Sequence, residues 1–176
     1  DHAPGEALEA FRAAAWSSAD TQLTLHARIL EGVCLLQLED LEAARQAFQQ
    51  LLTKSAAPQD LAWIWYYQGQ ALAGLDRHAE ALEAYGRARQ LRPESDVATL
   101  ALFGIAWAQF HLEQCEQSLA TFEAYAHRAS GGQRSEALFA QGSCLARLGK
   151  EERAAQILAR ATASGFSHPL AFESGL

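Results

Sequence analysis

The sequence predicts an all-α protein built from stacked pairs of antiparallel helices. Three observations lead to this prediction. Hydrophobic residues make up 49% of the chain, enough for a continuous core. A small residue recurs at steps of 37, 37, 37 and 36 residues, from Ala7 to Ala154. A large side chain follows each small residue four positions later, as Phe48 follows Ala44. One helix pair cannot bury its apolar face alone, so such pairs must stack.

Aligned columns of residues define each predicted pair. The second helix carries a small, a large and a further core position. These are Ala7, Phe11 and Ala14; Ala44, Phe48 and Leu51; Ala81, Tyr85 and Ala88; Ser118, Phe122 and Tyr125; Ala154, Leu158 and Ala161. The first helix carries two small positions, which are Gly32 and Cys34, Gly69 and Ala71, Ala106 and Ala108, and Gly142 and Cys144. Antiparallel helices approach closely only where side chains are small. The large column fills the space between one pair and the next.

Residues 61–93 carry a recognisable motif. Trp65 is followed by Gln68-Gly69 and Leu72, and then by Ala81, Tyr85, Ala88 and Pro93. This spacing resembles the tetratricopeptide repeat, with Gln68 in place of the usual Leu and Leu72 in place of the usual Tyr. The resemblance extends over residues 7 to about 165 at a period longer than the usual 34 residues. It implies a right-handed α-solenoid that binds other proteins.

The repeat register divides the chain into one array. We expect a second helix of a truncated repeat at 6–18, full repeats at 24–56, 60–93, 97–129 and 134–165, and a C-terminal tail at 166–176. The extra residues of each period are placed in the loops between repeats, near Pro58 and Pro93. Because no first helix precedes the segment 6–18, we interpret the chain as a fragment of a longer array.

Composition disfavours several partners. The formal charge is −7, from 14 basic and 21 acidic residues, and lysine occurs only at Lys54 and Lys150. Nucleic acids and acidic membranes attract clustered Lys and Arg, which this chain lacks. No apolar run reaches the roughly 18 residues that span a bilayer. We therefore expect no nucleic-acid binding and no membrane insertion. The compartment, cytoplasm or bacterial periplasm, stays open, and the low-lysine, Ala/Arg-rich composition favours a bacterial source.

Catalytic and metal-binding patterns are missing from the sequence. The three cysteines, Cys34, Cys115 and Cys144, form no Cys-x-x-Cys motif and no disulfide framework. His111 and Cys115 are four residues apart, but residues 112–114 between them have the pattern of a turn between helices. No nucleophile elbow, zinc-protease motif or phosphate loop occurs. The sequence predicts that the chain is not an enzyme, holds no metal and needs no cofactor.

The family resemblance implies that first helices line an inner, concave surface. The predicted partner-binding residues on it are Ile29, Val33, Trp63, Tyr66, Tyr67, Gln70, Phe103, Trp107, Phe110 and Phe139. An apolar, aromatic surface of this kind suits a partner protein or peptide with apolar anchors. Arg147 is the one cation of the kind that acidic-peptide clamps in the family use, so that binding mode is disfavoured. In the alternative interpretation, these apolar residues bind no partner, because the superhelical packing of the array itself covers them.

Two functions follow from these features. In the first, the chain is a protein-protein interaction module that binds a hydrophobic or amphipathic segment in its concave aromatic groove. In the alternative, it is a structural spacer of a longer solenoid that positions other domains in a multiprotein assembly. Self-association through the groove or through the truncated N-terminal repeat is a further expectation about partners.

Overall fold

The computed structural model describes residues 4–17, 20–53, 57–128 and 132–163. These residues form nine α-helices and no strand. The helices are α1 (Pro4–Ser17), α2 (Thr21–Gln37), α3 (Leu41–Leu52), α4 (Pro58–Gly74), α5 (His78–Leu91), α6 (Asp96–His111), α7 (Cys115–Arg128), α8 (Gly132–Arg147) and α9 (Glu151–Ala163). The predicted tail, 166–176, lies outside the described residues. None of the described helices combines the length and apolar character needed to cross a membrane.

Two compact units divide the chain within α6. Unit 1 is Asp1–Gly104 and unit 2 is Ile105–Leu176. In unit 1, each helix from α1 to α4 packs against the next helix along the chain. In unit 2, α7 packs against α8 and α8 against α9. Consecutive helices joined by short turns and packed on each other are antiparallel, as the sequence pattern predicts.

Residues of the second-helix columns contribute to the core of both units. Ala44, Phe48 and Ala81 are fully buried in unit 1, and Phe122 is fully buried in unit 2. Ser118 is also fully buried, and its hydroxyl donates a 2.8 Å hydrogen bond to the backbone oxygen of Ala106. A buried hydroxyl with such a partner avoids the desolvation penalty of an unpaired polar group.

The glycine column marks where the two helices of a pair touch. A Cβ built on Gly32 would lie 2.5 Å from Cζ of Phe48 in the partner helix. A Cβ built on Gly69 would lie 2.6 Å from the Tyr85 ring, and a Cβ built on Gly142 would lie 2.6 Å from the Leu158 side chain. In these three pairs, the large residue of the second helix therefore packs directly on the backbone of its own first helix. This confirms the predicted contact at Gly69.

The turns inside the pairs share one backbone geometry. Glu39, Asp76, Glu113 and Gly149 follow α2, α4, α6 and α8, and all have a positive φ, between 58° and 69°. The N–H of the residue after each one bonds to a carbonyl about a turn and a half earlier, as Asp40 N does to Leu35 O at 3.0 Å. This satisfies the last carbonyls of the helix in the Schellman manner. Three of the four positions are acidic although glycine is the residue that suits them.

Helix starts explain small differences from the predicted boundaries. The Asp20 carboxylate accepts hydrogen bonds from the N–H groups of Gln22 and Leu23, so α2 begins at Thr21 rather than at 24. Pro58 opens α4, where its missing N–H costs nothing. The turn predicted at residues 112–114 lies between α6 and α7. His111 and Cys115 therefore belong to different helices.

Candidate functional site

The predicted partner-binding residues all lie on first helices. Ile29 and Val33 are in α2, the next four in α4, Phe103, Trp107 and Phe110 in α6, and Phe139 in α8. Eight of the ten keep partial solvent exposure, whereas Ile29 and Phe110 are each only 8% exposed. Those two side chains have little surface left for a partner.

Trp63, Tyr66 and Tyr67 form an aromatic group on α4, here called the α4 cluster. Trp63 stacks on Tyr67 with ring centroids 5.6 Å apart, and Tyr66 lies 5.8 Å from Trp63 and 5.3 Å from Tyr67. Residues at i, i+3 and i+4 share one helix face, so the sequence spacing itself brings these rings together. The cluster presents three adjacent rings that are each partly exposed.

Neighbouring helices fix the α4 cluster in place. Tyr67 stacks on Phe48 of α3 at 5.6 Å, and Tyr66 lies 5.9 Å from Tyr85 of α5. Burial raises the pKa of the Tyr67 hydroxyl, so the phenol stays neutral near neutral pH. Gln70 Nε2 donates a 3.1 Å hydrogen bond to the Tyr66 hydroxyl. Packing and this bond hold the rings in defined orientations before any partner arrives.

A small hollow adjoins the cluster at Trp63. It has a volume of about 130 Å³ and is lined by Gln59, Trp63, Arg92, Ser95, Asp96 and Val97. The volume is that of a side-chain-sized notch rather than of a ligand pocket, since small-molecule sites run to several hundred Å³. The sequence did not indicate this hollow, because its walls combine the start of α4 with the loop before α6 and the first residues of α6.

Asp60 joins α4 to α2 at the same end of the cluster. It is 7% exposed, and its carboxylate accepts a 3.2 Å hydrogen bond from Gln22 Nε2. His26 Nε2 lies 3.3 Å from the other carboxylate oxygen. A buried carboxylate needs such partners. The polar contact therefore fixes the spacing of two neighbouring first helices in unit 1.

Unit 2 has an aromatic group of its own around Trp107. Its ring makes edge-on contacts with Phe110 at 5.4 Å and Phe122 at 5.5 Å. The Arg147 guanidinium lies 3.8 Å from the centroid of Phe110 and donates a 3.1 Å bond to the Phe110 backbone oxygen. This cation–π contact covers the Phe110 ring and explains its burial.

A second hollow adjoins Arg147. It encloses about 620 Å³ in unit 2 and is lined by Glu113, Gln114, Cys115, Glu116, Gln117, Arg147 and Leu148. It opens at the turn between α6 and α7, and its lining is mostly polar or acidic. The repeat columns carry no signal for it, because turn residues lie outside them.

Within the described ranges, no group of three or more His, Cys, Asp or Glu side chains is arranged to hold a metal ion. All three cysteines are free and buried.

Comparisons with known proteins agree with this geometry. Residues 62–95 match the tetratricopeptide repeat family, and residues 4–60 and 103–168 match a second profile of tetratricopeptide repeats. A search of curated proteins found no matching sequence.

Solved structures share the fold at low identity. A crystal structure of MamA has a TM-score of 0.76 and 14% identity, covering 92% of this chain and 88% of its own. MamA 41-end from Desulfovibrio magneticus RS-1 has a TM-score of 0.77 and 16% identity, covering 99% and 89%. A Rap protein complexed with Competence and Sporulation Factor has a TM-score of 0.70 and 13% identity, covering 92% and 54%.

The predicted fold class, an all-α solenoid of antiparallel helix pairs, is confirmed by the described helices and these matches. The family matches extend over most of the sequence, in register with helices that pair as the columns predict. This chain belongs to the tetratricopeptide repeat family.

Proposed function

We propose that the chain is a protein-interaction module and that the α4 cluster is the centre of its binding surface. The observation that supports this proposal is the packing of Trp63, Tyr66 and Tyr67 into three adjacent, partly exposed rings. Trp and Tyr supply large contact areas with few rotatable bonds, and they dominate the energy of many interfaces. Partner binding at this surface would freeze little additional side-chain motion.

The charge pattern of α4 defines the partner chemistry. From Leu61 to Gly74 the helix has no charged residue. A highly charged segment would gain no ion pair along α4 and would lose hydration, so an apolar or amphipathic segment is favoured. Gln70 and the tyrosine hydroxyls add polar groups that can meet the backbone of that segment. Val33 and Phe103 are included in the proposed surface as further first-helix residues of unit 1. Trp107 and Phe139 belong to unit 2 and are proposed as partner-binding residues of that unit.

Two findings outside the site support a binding role. Tetratricopeptide repeat proteins are generally interaction modules without catalytic activity. The Rap protein that shares this fold was crystallised in complex with Competence and Sporulation Factor. A partner protein or peptide is thus a natural ligand class for the fold, and the α4 cluster is the surface of this chain best suited to it.

Site-specific photo-crosslinking tests the proposal. A photoreactive phenylalanine analogue replaces Trp63 in one variant and Trp16, an 89% exposed residue of α1, in a matched control. Crosslinking in cells of the source organism should yield a defined adduct from position 63 and none from position 16. Equal adducts from both positions, or an adduct from position 16 alone, would exclude the α4 cluster as the binding surface.

The spacer function is the second candidate, and the burial of Ile29 and Phe110 favours it. Both residues belong to the predicted binding face, yet the chain covers them with its own side chains. If the remaining face served only to pack the array, position 63 would fail to crosslink, as position 16 does. The same experiment therefore separates the two functions.

A further inference from the structure

The α2–α4 contact at Asp60 has an equivalent one repeat later in unit 1, and the two are built differently. Gln22 and His26 of α2 contact the Asp60 carboxylate at 3.2 Å and 3.3 Å, and Asp60 is 7% exposed. The apolar or polar residues at the equivalent positions, 37 residues further along the chain, are Gln59, Trp63 and Val97. The polar pair of His26 and Asp60 is therefore replaced by an apolar pair, Trp63 and Val97.

These three equivalent residues line the small hollow at the start of α4. Gln59, Trp63 and Val97 belong to its wall, and its volume is about 130 Å³. Val97 is only 3% exposed, so it forms the floor of the hollow. At the earlier position a carboxylate and its two partners fill the space between the helices, whereas Val97 makes no such bridge and a space remains. We call this hollow the Trp63 notch.

The volume of the Trp63 notch limits what can enter it. A cavity of about 150 Å³ holds one benzene molecule, so a notch of about 130 Å³ holds no more than one side chain. The rings of Phe and Trp are as large as benzene or larger, and they exceed this space. An aliphatic side chain such as Leu, Ile or Met fits it.

The lining of the notch favours an uncharged group. At the equivalent position in the α2–α4 contact, the buried carboxylate is stabilised by two polar neighbours from α2. A charged group in the notch would instead lie against Trp63 and Val97 and would lose hydration without that compensation. Arg92 and Asp96, both exposed at the rim, carry opposite charges, so the rim selects neither a cation nor an anion.

We propose that the Trp63 notch holds one aliphatic side chain, Leu, Ile or Met, of the partner segment that binds the α4 cluster. This inference rests on the proposed function and adds a sequence requirement to it. Trp63 belongs to both the notch and the cluster, so a segment that lies on Tyr66 and Tyr67 also passes the notch. The open rings accept many apolar groups, whereas the limited volume of the notch excludes aromatic and charged side chains and so supplies specificity.

A defined peptide is the appropriate probe. Random peptides displayed on phage are selected on the immobilised full chain, and one selected peptide is synthesised with a fluorescent label for anisotropy measurements. We expect one aliphatic position in this peptide whose replacement by Ala weakens binding at least about tenfold, a difference of about 1.4 kcal/mol. Replacement of the same position by Asp or Trp should weaken binding at least as much.

Two variants at one exposed residue locate that anchor in the notch. Gln59→Trp places a large side chain in the wall of the notch and should weaken peptide binding at least about tenfold. Gln59→Ala is the matched control, because it keeps Trp63 and Val97, and it should leave binding unchanged. If the anchor lies in the notch, replacing it by Ala should cost little on the Gln59→Trp variant, since neighbouring changes are not additive. The peptide pair leaves the protein unaltered, so it stays decisive if Gln59→Trp does not fold.

The Tyr66→Ala variant separates the notch from the proposed function, because Tyr66 does not line the notch. A peptide that loses affinity for Tyr66→Ala but is indifferent to Gln59→Trp would overturn the notch and leave the proposed function intact. A selection that yields no peptide, or a peptide that binds Tyr66→Ala as well as the wild type, would overturn both. An acidic anchor that Gln59→Ala weakens, or an aromatic anchor, would also contradict the proposed aliphatic occupant.

Discussion

The ring of Tyr85 packs against the backbone of Gly69, and a Cβ built on Gly69 would lie only 2.6 Å from Tyr85 Cε1. The contact joins α4 to α5, and Tyr85 is 4% exposed. Gly104 of α6 lies on another part of the same ring, where a Cβ would approach Cζ to 2.5 Å. Tyr85 is thus enclosed between two helix backbones, and both approaches require glycine.

Replacing Gly69 should therefore destabilise the fold. Gly69→Leu forces α4 away from α5 and should lower the free energy of unfolding by roughly 1–3 kcal/mol or more, as overpacked cores do. Gly86 is the matched control, since it lies within α5 and a Cβ there meets nothing within 4 Å. Gly86→Ala should raise stability by about 0.5–1 kcal/mol through the unfolded state. Urea denaturation measures the free energy of unfolding of both variants. A Gly69→Leu variant as stable as the wild type would contradict the predicted repeat register.

The turn geometry predicts a stabilising change. Glu39 and Asp76 have φ values of 59° and 58°, a backbone region that costs side-chain-bearing residues about 1 kcal/mol. Asp76→Gly should raise the free energy of unfolding by up to about 1 kcal/mol. The gain is reduced because glycine has more conformational freedom in the unfolded chain. Gly149→Ala, at φ 69°, is the reverse control and should lower it. If both variants lower stability, backbone conformation is not the controlling factor at these turns.

The ion pair of Glu42 predicts a pH dependence. Hydrogen bonds from Arg45, and then from Gln46, lower the pKa of Glu42 to about 2. A carboxyl group whose pKa is lowered by folding adds stability above its unfolded pKa, about 4.3, and loses it as the pH falls towards 2. The Tm of Glu42→Gln should lie slightly below that of the wild type at pH 7, and the difference should disappear near pH 2.

High salt and a control variant at Glu83 test whether the Glu42–Arg45 ion pair causes this pH dependence. The pair is exposed, so its effect is small and should shrink further in high salt. Glu83→Gln is the control, because the structure gives Glu83 no ion pair within the described residues. A Tm difference for Glu42→Gln that does not vary between pH 7 and pH 2 would mean that the ion pair does not stabilise the fold.

The three cysteines should all be free thiols. Cys34, Cys115 and Cys144 are buried and unpaired in the structure. Burial raises the pKa of Cys34 and of Cys144, which lowers the reactive thiolate fraction. Thiol titration of denatured, unreduced protein should find three groups per chain, and the native protein should react slowly. A count of one would show a disulfide.

The columns predicted the helix pairs because close helix packing restricts which residues can occupy them. Gly32, Gly69 and Gly142 lie at contacts where no side chain fits, so their spacing reports the architecture directly. The inner face is under no such restriction. Phe110 and Phe103 belong to the same helix stripe, yet Phe110 is covered by Arg147, which is 37 residues away in the sequence. The separation is within one residue of the repeat period, so the register places both residues at nearly the same position of successive first helices. It does not show that the arginine side chain lies over the ring.

The same reasoning applies at the turns and at α1. Glu39, Asp76 and Glu113 adopt a backbone conformation that the sequence does not indicate, because the helix-capping bonds, and not the residue type, impose it. The motif predicted a helix at 6–18, and α1 spans Pro4–Ser17. The partial exposure of Phe11 depends on what lies against it, which the motif does not specify.

The central claim is that the aromatic surface serves binding more than folding. Tyr66→Ala combined with Phe103→Ala removes two partly exposed rings of unit 1 and leaves Gly69, Tyr85 and Phe48 in place. The double variant is compared with Trp16→Ala for thermal stability and for affinity towards the partner captured at position 63. We predict that partner affinity falls at least about tenfold, or about 1.4 kcal/mol, while stability falls much less. Loss of the fold would place these rings in the core, and an intact fold with unchanged affinity would place the binding surface elsewhere.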